Sequence, residues 1–296
     1  MSRTTVLTDA AQAMSFVQDG MTVAIGGFIN AGHPMVLVRE LIRGNRRDLT
    51  VVGSPSAGLE IDLLISAGCV SKVICPYVGA EGYASIAPAF KAAAESGAVA
   101  VWECDEWMYY AGLRAGAQDL PYLPCRGLVG TSYPDVNSEL KLYESPVGGE
   151  TLIAVPAIRP DVALLHAARA DPFGNVRYVD TGFGDRALHN AAARTIVQVE
   201  QVVPVEQTRA HPEQTALAYV DAVVRAPFGA HPFASAGFYT EDGAHLRSYL
   251  AAARAAAGGN DAAIAAYVEQ YVVSPKDHIG YLEQVGLRDL LNLNEY

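Results

Sequence analysis

The sequence predicts an α/β fold: an open, mostly parallel sheet with helices on both faces and a helical appendage at the C-terminus. Three observations lead there. Short apolar runs alternate with helical patterns through the first 130 residues, the rhythm of parallel strands joined by crossover helices. Those runs are apolar nearly throughout, as strands covered on both faces are. The Ala-rich tail, residues 243–293, has helical spacing and no strand signal.

The elements follow in chain order. Residues 21–28 (MTVAIGGF) read as a buried strand, apolar until its glycines, and Pro34 opens a helix through MVLVRELIRG. Its apolar residues Val36, Val38, Leu41 and Ile42 share a face, and Gly44 stops it. Residues 49–52 form the next strand and 59–67 the next helix, ended by Gly68. A strand at 72–77, a helix at 86–96 ended by Gly97, a strand at 98–103 and a helix at 105–118 complete the alternation. Further on, strands are expected at 152–155, 162–166, 176–179, 195–199 and 220–224, with a helix near 185–193. The tail divides into three or four short helices at Gly258-Gly259, Pro275 and Gly286. Residues 120–135, rich in Pro and Gly, resemble an internal joint. The expected organisation is one unit over 1–296, with residues 243–296 as a helical appendage within it.

Composition narrows the function classes. At 296 residues the chain could hold one large α/β unit or two domains of ~150 residues. Hydrophobic residues make up 51% and charged residues 18%, a balance opposite to that of disordered chains. The net charge of −11 makes the chain a poor general binder of nucleic acid or anionic membranes. The first twenty residues lack the basic-then-apolar pattern of a secretory signal. No apolar run approaches the ~20 residues of a membrane span, so a cytoplasmic location is expected. Cys69, Cys75, Cys104 and Cys125 show no CxxC spacing and no pairing with the histidines. Buried reduced thiols are expected, with no metal.

The strongest local signal is DGMTVAIGGFINAGHP, residues 19–34. A strand ends in Gly26-Gly27-Phe28, a loop carries Asn30 and Gly32, and Pro34 starts a helix. Ligands of open parallel sheets bind outside the carboxyl ends of the strands. Glycines there let the backbone approach a ligand and aim N–H groups at a developing oxyanion. The same glycines could instead serve only a tight strand–helix turn. No GxGxxG dinucleotide fingerprint and no GK[ST] phosphate loop is present.

This segment resembles the A-subunit signature of the family I coenzyme A transferases. Asp19, Gly20, Val23, Ala24, Ile25, Gly26, Gly27, Phe28, Gly32 and Pro34 satisfy every constrained position of that signature. The similarity is greatest to the A subunit of glutaconate-type transferases and continues through residues 152–177, 220–232 and 276–282. It implies a CoA-transferase/NagB-like fold and a heteromeric enzyme, most simply α₂β₂, that moves CoA between an acyl-CoA and a free carboxylic acid. In the family a glutamate of the B subunit, within Ser-Glu-Asn-Gly, forms the covalent intermediates. Here Ser138-Glu139 is followed by Leu140-Lys141, so a B-subunit partner must supply the nucleophile. The CoA thioester is then a substrate, and no tightly bound cofactor is expected. Gly26 and Gly27 would act at the thioester oxygen. Phe28, Asn30 and Gly32 would line the pocket, with Ser54 and Ser56 of GSPSAG and Gly79 of YVGAEG, although ordinary turns account for the last two loops equally well. With only four lysines, contacts to the CoA phosphates fall to arginines or to the partner.

Histidines carry less. His166, in an apolar strand, reads as a core residue and His231 as a turn or interface residue, while Arg169, Asp171 and Asn175 suggest a polar turn network. Glu106 complicates the transferase reading. It starts a helix at the sheet mouth, where a first-turn acid is favoured by the helix dipole. Yet residues 105–124 look more like the A subunit of the steroid ring-cleaving CoA-ester hydrolases, which implies a catalytic Glu106. A hydrolase opening a cyclic β-oxo acyl-CoA is therefore the alternative function. A non-enzymatic metabolite-binding α/β module is a third.

Overall fold

A computed structural model describes residues 4–293; the expected unit 1–296 and its appendage extend three residues beyond that description at the ends they reach. The strands are β1 (Leu7–Thr8), β2 (Thr22–Ile25), β3 (Leu49–Val52), β4 (Val70–Ile74), β5 (Ala100–Trp102) and β6 (Tyr122–Cys125). They continue with β7 (Lys141–Glu144), β8 (Thr151–Pro156), β9 (Val162–Ala170), β10 (Val176–Arg177), β11 (Arg194–Val202) and β12 (Ala222–Arg225). The main sheet runs β1-β12-β11-β9-β2-β3-β4-β5, and every pairing along it is parallel. Only β10 joins it antiparallel, against β9. The order reverses between β2 and β9, which opens a crevice at their carboxyl ends.

Strand periodicity sorts the core into two layers. Val23 and Ile25 face one side, against Leu37, Leu41, Leu59 and Ile61 of the Met35–Arg43 and Leu59–Ser66 helices. Ala24 faces the other, with Met108 and Leu113 of the Glu106–Ala117 helix and Leu188 of the Asp185–Ala191 helix. Four C-terminal helices, Gly243–Ala257, Asp261–Val268, His278–Val285 and Leu287–Leu291, follow the expected breaks. The first of them buries Leu246, Tyr249, Leu250 and Ala253 in the first layer.

Three expectations change. The strand expected over 21–28 ends at Ile25, because Gly26 makes one last sheet bond to Leu164 O (2.9 Å) and Gly27, at φ 104°, turns the chain away. The strand expected over 162–166 continues to Ala170, because β11 stays beside it as far as Val202. The joint expected at 120–135 contains β6, the edge of a separate antiparallel sheet ordered β6-β8-β7. Pro124 hides that strand in the sequence, since proline lacks a ladder donor, but an edge tolerates it.

All four cysteines are buried and free. Asp171 and Asn175 form the anticipated turn network, Asn175 Nδ2 donating to Asp171 Oδ2 at 2.6 Å, whereas Arg169 reaches Gln201 instead. No helix among the described residues is long and apolar enough to cross a membrane.

Candidate active site

At the crevice, β2 gives way to a tight turn in which Phe28 and Ala31 exchange backbone hydrogen bonds (2.8 and 3.0 Å). Ile29 sits at φ 56°, a conformation that costs a β-branched residue ~1–3 kcal/mol. Its N–H donates to Ser56 O in the loop after β3 (2.9 Å). That loop is tied to the one after β4, Ala57 N–H donating to Tyr77 O and Gly79 N–H to Ala57 O, both at 3.0 Å. Backbone bonds thus join the three loops at the carboxyl ends of β2, β3 and β4.

Both glycine amides are engaged within the chain. Gly26 N–H serves the sheet, and Gly27 N–H donates to Asp185 Oδ1 at 3.1 Å. The other carboxylate oxygen of Asp185 accepts from the Tyr178 hydroxyl at 2.8 Å. What the glycines provide is proximity. A Cβ on Gly26 would lie 2.4 Å from Asp185 Oδ1, and one on Gly27 would lie 2.5 Å from His33 Nδ1. Their missing side chains admit a buried carboxylate on one side of the turn and a buried imidazole on the other.

His33, at the signature's free position before Pro34, is completely buried. Its Nδ1 faces Gly26 O at 3.0 Å and its Nε2 faces Ile29 O at 2.9 Å. One ring therefore spans both ends of the Gly26–Ile29 turn. Glu60 lies 3.3 Å from Nδ1. Burial pushes its carboxyl above the usual range, against the opposing influence of His33 and the Gly58 N–H.

Burial likewise raises the Asp185 carboxyl to about 7, despite the Gly27 and Tyr178 hydrogen bonds that oppose the rise. The folded state then keeps a proton that the unfolded chain releases near pH ~4. Stability should fall as pH rises from about 4 to about 7 and level off above, because over that window the folded state binds more protons. Asp185→Asn should remove this contribution, a slope of at most ~1.4 kcal/mol per pH unit. Urea denaturation of both proteins across the window checks it; parallel pH profiles would exclude Asp185 as the source.

Across the crevice stands a second buried polar group. Gln198 Oε1 accepts the Val36 and Leu37 amides (3.1 and 3.3 Å), so its amide nitrogen faces His166 Nδ1 at 2.9 Å. This network places the His166 proton on Nε2, which donates to Ser235 Oγ at 2.9 Å. Burial drives His166 down to about 3 and it remains neutral. Glu200 is raised to about 7 by burial, against hydrogen bonds from the Tyr239 hydroxyl (2.7 Å) and the Phe228 amide (2.7 Å).

Gly27, Gly32, His166, Tyr178, Asp185 and Ser235 line one cleft, whereas Gly26, His33, Gln198 and Glu200 lie behind its lining. It leaves only about 20 Å³ for the centre of a water-sized atom, little more than one water needs. Phe28, Asn30, Ser54, Ser56, Gly79 and Glu106 do not line it. Phe28 stacks on Phe183 (centroids 4.4 Å apart, planes at 12°). Asn30 donates to Glu81 O at 2.8 Å. Ser54 is fully buried with an unpartnered hydroxyl. Ser56 takes part through its carbonyl. Gly79 is buried, and a Cβ there would strike the Tyr77 hydroxyl. Glu106 is exposed at the start of its helix, behind the cap Asp105. Tyr110, one turn on, experiences the charges of both Glu106 and Asp185; its hydroxyl would lie 3.4 Å from a Cβ on Gly184. Glu106 thus lies on the helix that packs against the Asp185–Ala191 helix.

Sequence reasoning missed Asp185, Tyr178 and Ser235 as cleft residues and His33 beneath the turn. His33 alone gave a signal, a histidine inside the signature itself. His231, read as a turn or interface residue, is completely buried, its Nδ1 2.6 Å from the Tyr281 hydroxyl.

The model of the coenzyme A transferase family matches residues 7–226. An uncharacterized protein of Archaeoglobus fulgidus is 37% identical over 94% of the chain, which spans 61% of that protein's length. The cholesterol ring-cleaving hydrolase IpdA subunit of Mycobacterium tuberculosis is 38% identical over 83% of this chain and 87% of its own. The A subunit of glutaconate CoA-transferase from Acidaminococcus fermentans is 31% identical over 99% of this chain and 95% of its own. The crystal structure of that organism's glutaconate coenzyme A-transferase superposes with a TM-score of 0.92 at 30% identity, over 98% of this chain and 96% of its own. The expected fold is thus matched along nearly the whole chain.

Proposed function

We propose, for a chain that belongs to the coenzyme A transferase family, that it is the A subunit of a heteromeric enzyme exchanging CoA between an acyl-CoA and a carboxylic acid. The observation that carries this reading is the intact Asp19–Pro34 signature, folded at the crevice between β2 and β9, in a chain without a Ser-Glu-Asn-Gly segment. A B subunit then supplies the covalent glutamate and completes the acyl pocket, most simply as an α₂β₂ assembly in the cytoplasm. This chain's share is positional. Gly26 and Gly27 let Asp185 and His33 pin the turn from both sides, and the stacked Phe28 and Phe183 rings shield it from water. With Gly27 N–H held by Asp185, the turn contributes shape and dipole orientation in the assembled site. Any direct donation to a thioester oxygen requires Asp185 to release that amide.

One observation favours a second reading, hydrolysis of a cyclic β-oxo acyl-CoA. Glu106 is exposed at the start of the helix that packs against the Asp185–Ala191 helix, and a solvent-exposed carboxylate can activate water or take a proton from carbon. Glu106→Ala decides between them. Under the transferase reading CoA transfer to succinate or acetate should change less than ~10-fold. Under the hydrolase reading thiol release should fall at least ~10²-fold with the complex still assembled. Thiol release that depends on Glu106 and needs no acceptor would overturn the first reading.

A further inference from the structure

On the sheet face opposite the Glu106–Ala117 helix, a cavity lies between the Met35–Arg43 helix, the Leu59–Ser66 helix and the C-terminal helices. Its walls are apolar and aromatic, with Phe233, Leu246, Tyr267 and Tyr281 among them, and Arg39 is its one charged member. Arg39 is 2% exposed. Its Nη1 donates to His231 O at 3.2 Å, and its guanidinium carbon lies 3.6 Å from the centre of the Tyr281 ring. Nε and Nη2 have no partner.

No carboxylate among the described residues pairs with this cation. Glu40, its helix neighbour, is bonded to Arg43, and Asp242 is bonded to His231 at 3.2 Å. The Tyr281 ring face offsets part of the burial penalty. An uncompensated buried charge and two open donors remain. The same charge disfavours a metal at the adjoining His231, Asp242 and His245, although their ligand atoms lie within 4.8 Å of one another. A guanidinium on the His231 carbonyl would repel it.

Space sets the size of what Arg39 can hold. The cavity leaves about 20 Å³ for the centre of a water-sized atom, against the ~10–15 Å³ that a single water needs. That suits one monatomic ion and excludes a metabolite. We propose that this cavity is a binding site for a single chloride-sized monovalent anion, held by Nε and Nη2 of Arg39. The ion neutralises the guanidinium and locks the Met35–Arg43 helix, whose N-terminus follows the Gly27 turn, onto the C-terminal helices.

The test uses the full chain assembled with its B subunit. Crystals grown with sodium bromide as the only halide should show an anomalous peak within hydrogen-bonding reach of Arg39 Nε and Nη2. In solution, replacing gluconate by chloride at constant ionic strength should raise Tm by about 2 °C once chloride reaches ten times its Kd. Arg39→Met, which fills the space without the charge, should not respond to the exchange. Absence of the bromide peak would overturn the site and assign the two donors to ordered water. If Arg39→Met does not fold, the peak in the wild-type crystal decides alone.

Discussion

Purified by itself, this chain should show no CoA exchange, and addition of its B subunit should raise the rate at least ~10³-fold, the scale on which losing a nucleophile acts. Three features argue for so large an effect. Ser138-Glu139-Leu140-Lys141 is no substitute for Ser-Glu-Asn-Gly, so no covalent glutamate is available. Asp185, the carboxylate lining the cleft, is 3% exposed and hydrogen-bonded through both oxygens, so attack on a thioester would require it to leave the Gly27 amide or the Tyr178 hydroxyl. The cleft in this chain is also too small for an acyl group. In its lining Val179 and Phe183 are 54% and 50% exposed, apolar surface of the kind that a partner covers. The measurement is CoA transfer by each of the two proteins separately and by their mixture, with gel filtration of the mixture. Substantial transfer by this chain without its partner would refute the shared-site reading.

Replacing Gly27 by Val should have the next largest effect, lowering kcat of the assembled enzyme by ~10²–10³-fold and stability by roughly 2–5 kcal/mol. The new Cβ would lie 2.5 Å from His33 Nδ1. His33 cannot retreat without releasing Gly26 O, Ile29 O or both. The backbone at φ 104° is also one that L side chains rarely adopt. Gly82 isolates the conformational part: its φ is 81° and a Cβ there meets nothing within 4 Å. Gly82→Val should therefore cost only the conformational ~1–3 kcal/mol and leave kcat intact. Equal behaviour of the two variants in denaturant melts and rate assays would remove His33 from the argument.

The main sheet was legible because parallel strands buried on both faces announce themselves as unbroken apolar runs, and Gly44, Gly68 and Gly97 marked where helices stop. The small antiparallel sheet was not, since Lys141–Glu144 is polar and Pro121 and Pro124 gave β6 the look of a loop. The signature placed the turn correctly at the crevice. It could not foretell Asp185, which lies 158 residues from Gly27 in the chain and reads locally as an ordinary first-turn acid. His166, Gln198 and Ser235 meet only because β9, β11 and the 230s loop converge, a fact of tertiary structure with no local trace. Glu106 was singled out by the resemblance of residues 105–124 to the ring-cleaving hydrolases, while its place at the start of a helix suggested only a first-turn acid; that it does not line the cleft was not readable from sequence.

The rim formed by the loops after β2, β3 and β4 is held by amides and carbonyls of Ile29, Ser56, Ala57, Tyr77 and Gly79. Apart from the Asn30 bond to Glu81 O, the seam is made of main-chain groups, and loss of one side chain leaves those backbone bonds in place. Opening one loop breaks bonds to the next, so the three should exchange their amide hydrogens with solvent as one cooperative block rather than singly. The contour offered to an acyl group is then largely independent of which residues decorate it. Substitutions on these loops can retune what is recognised while the frame beneath keeps its shape.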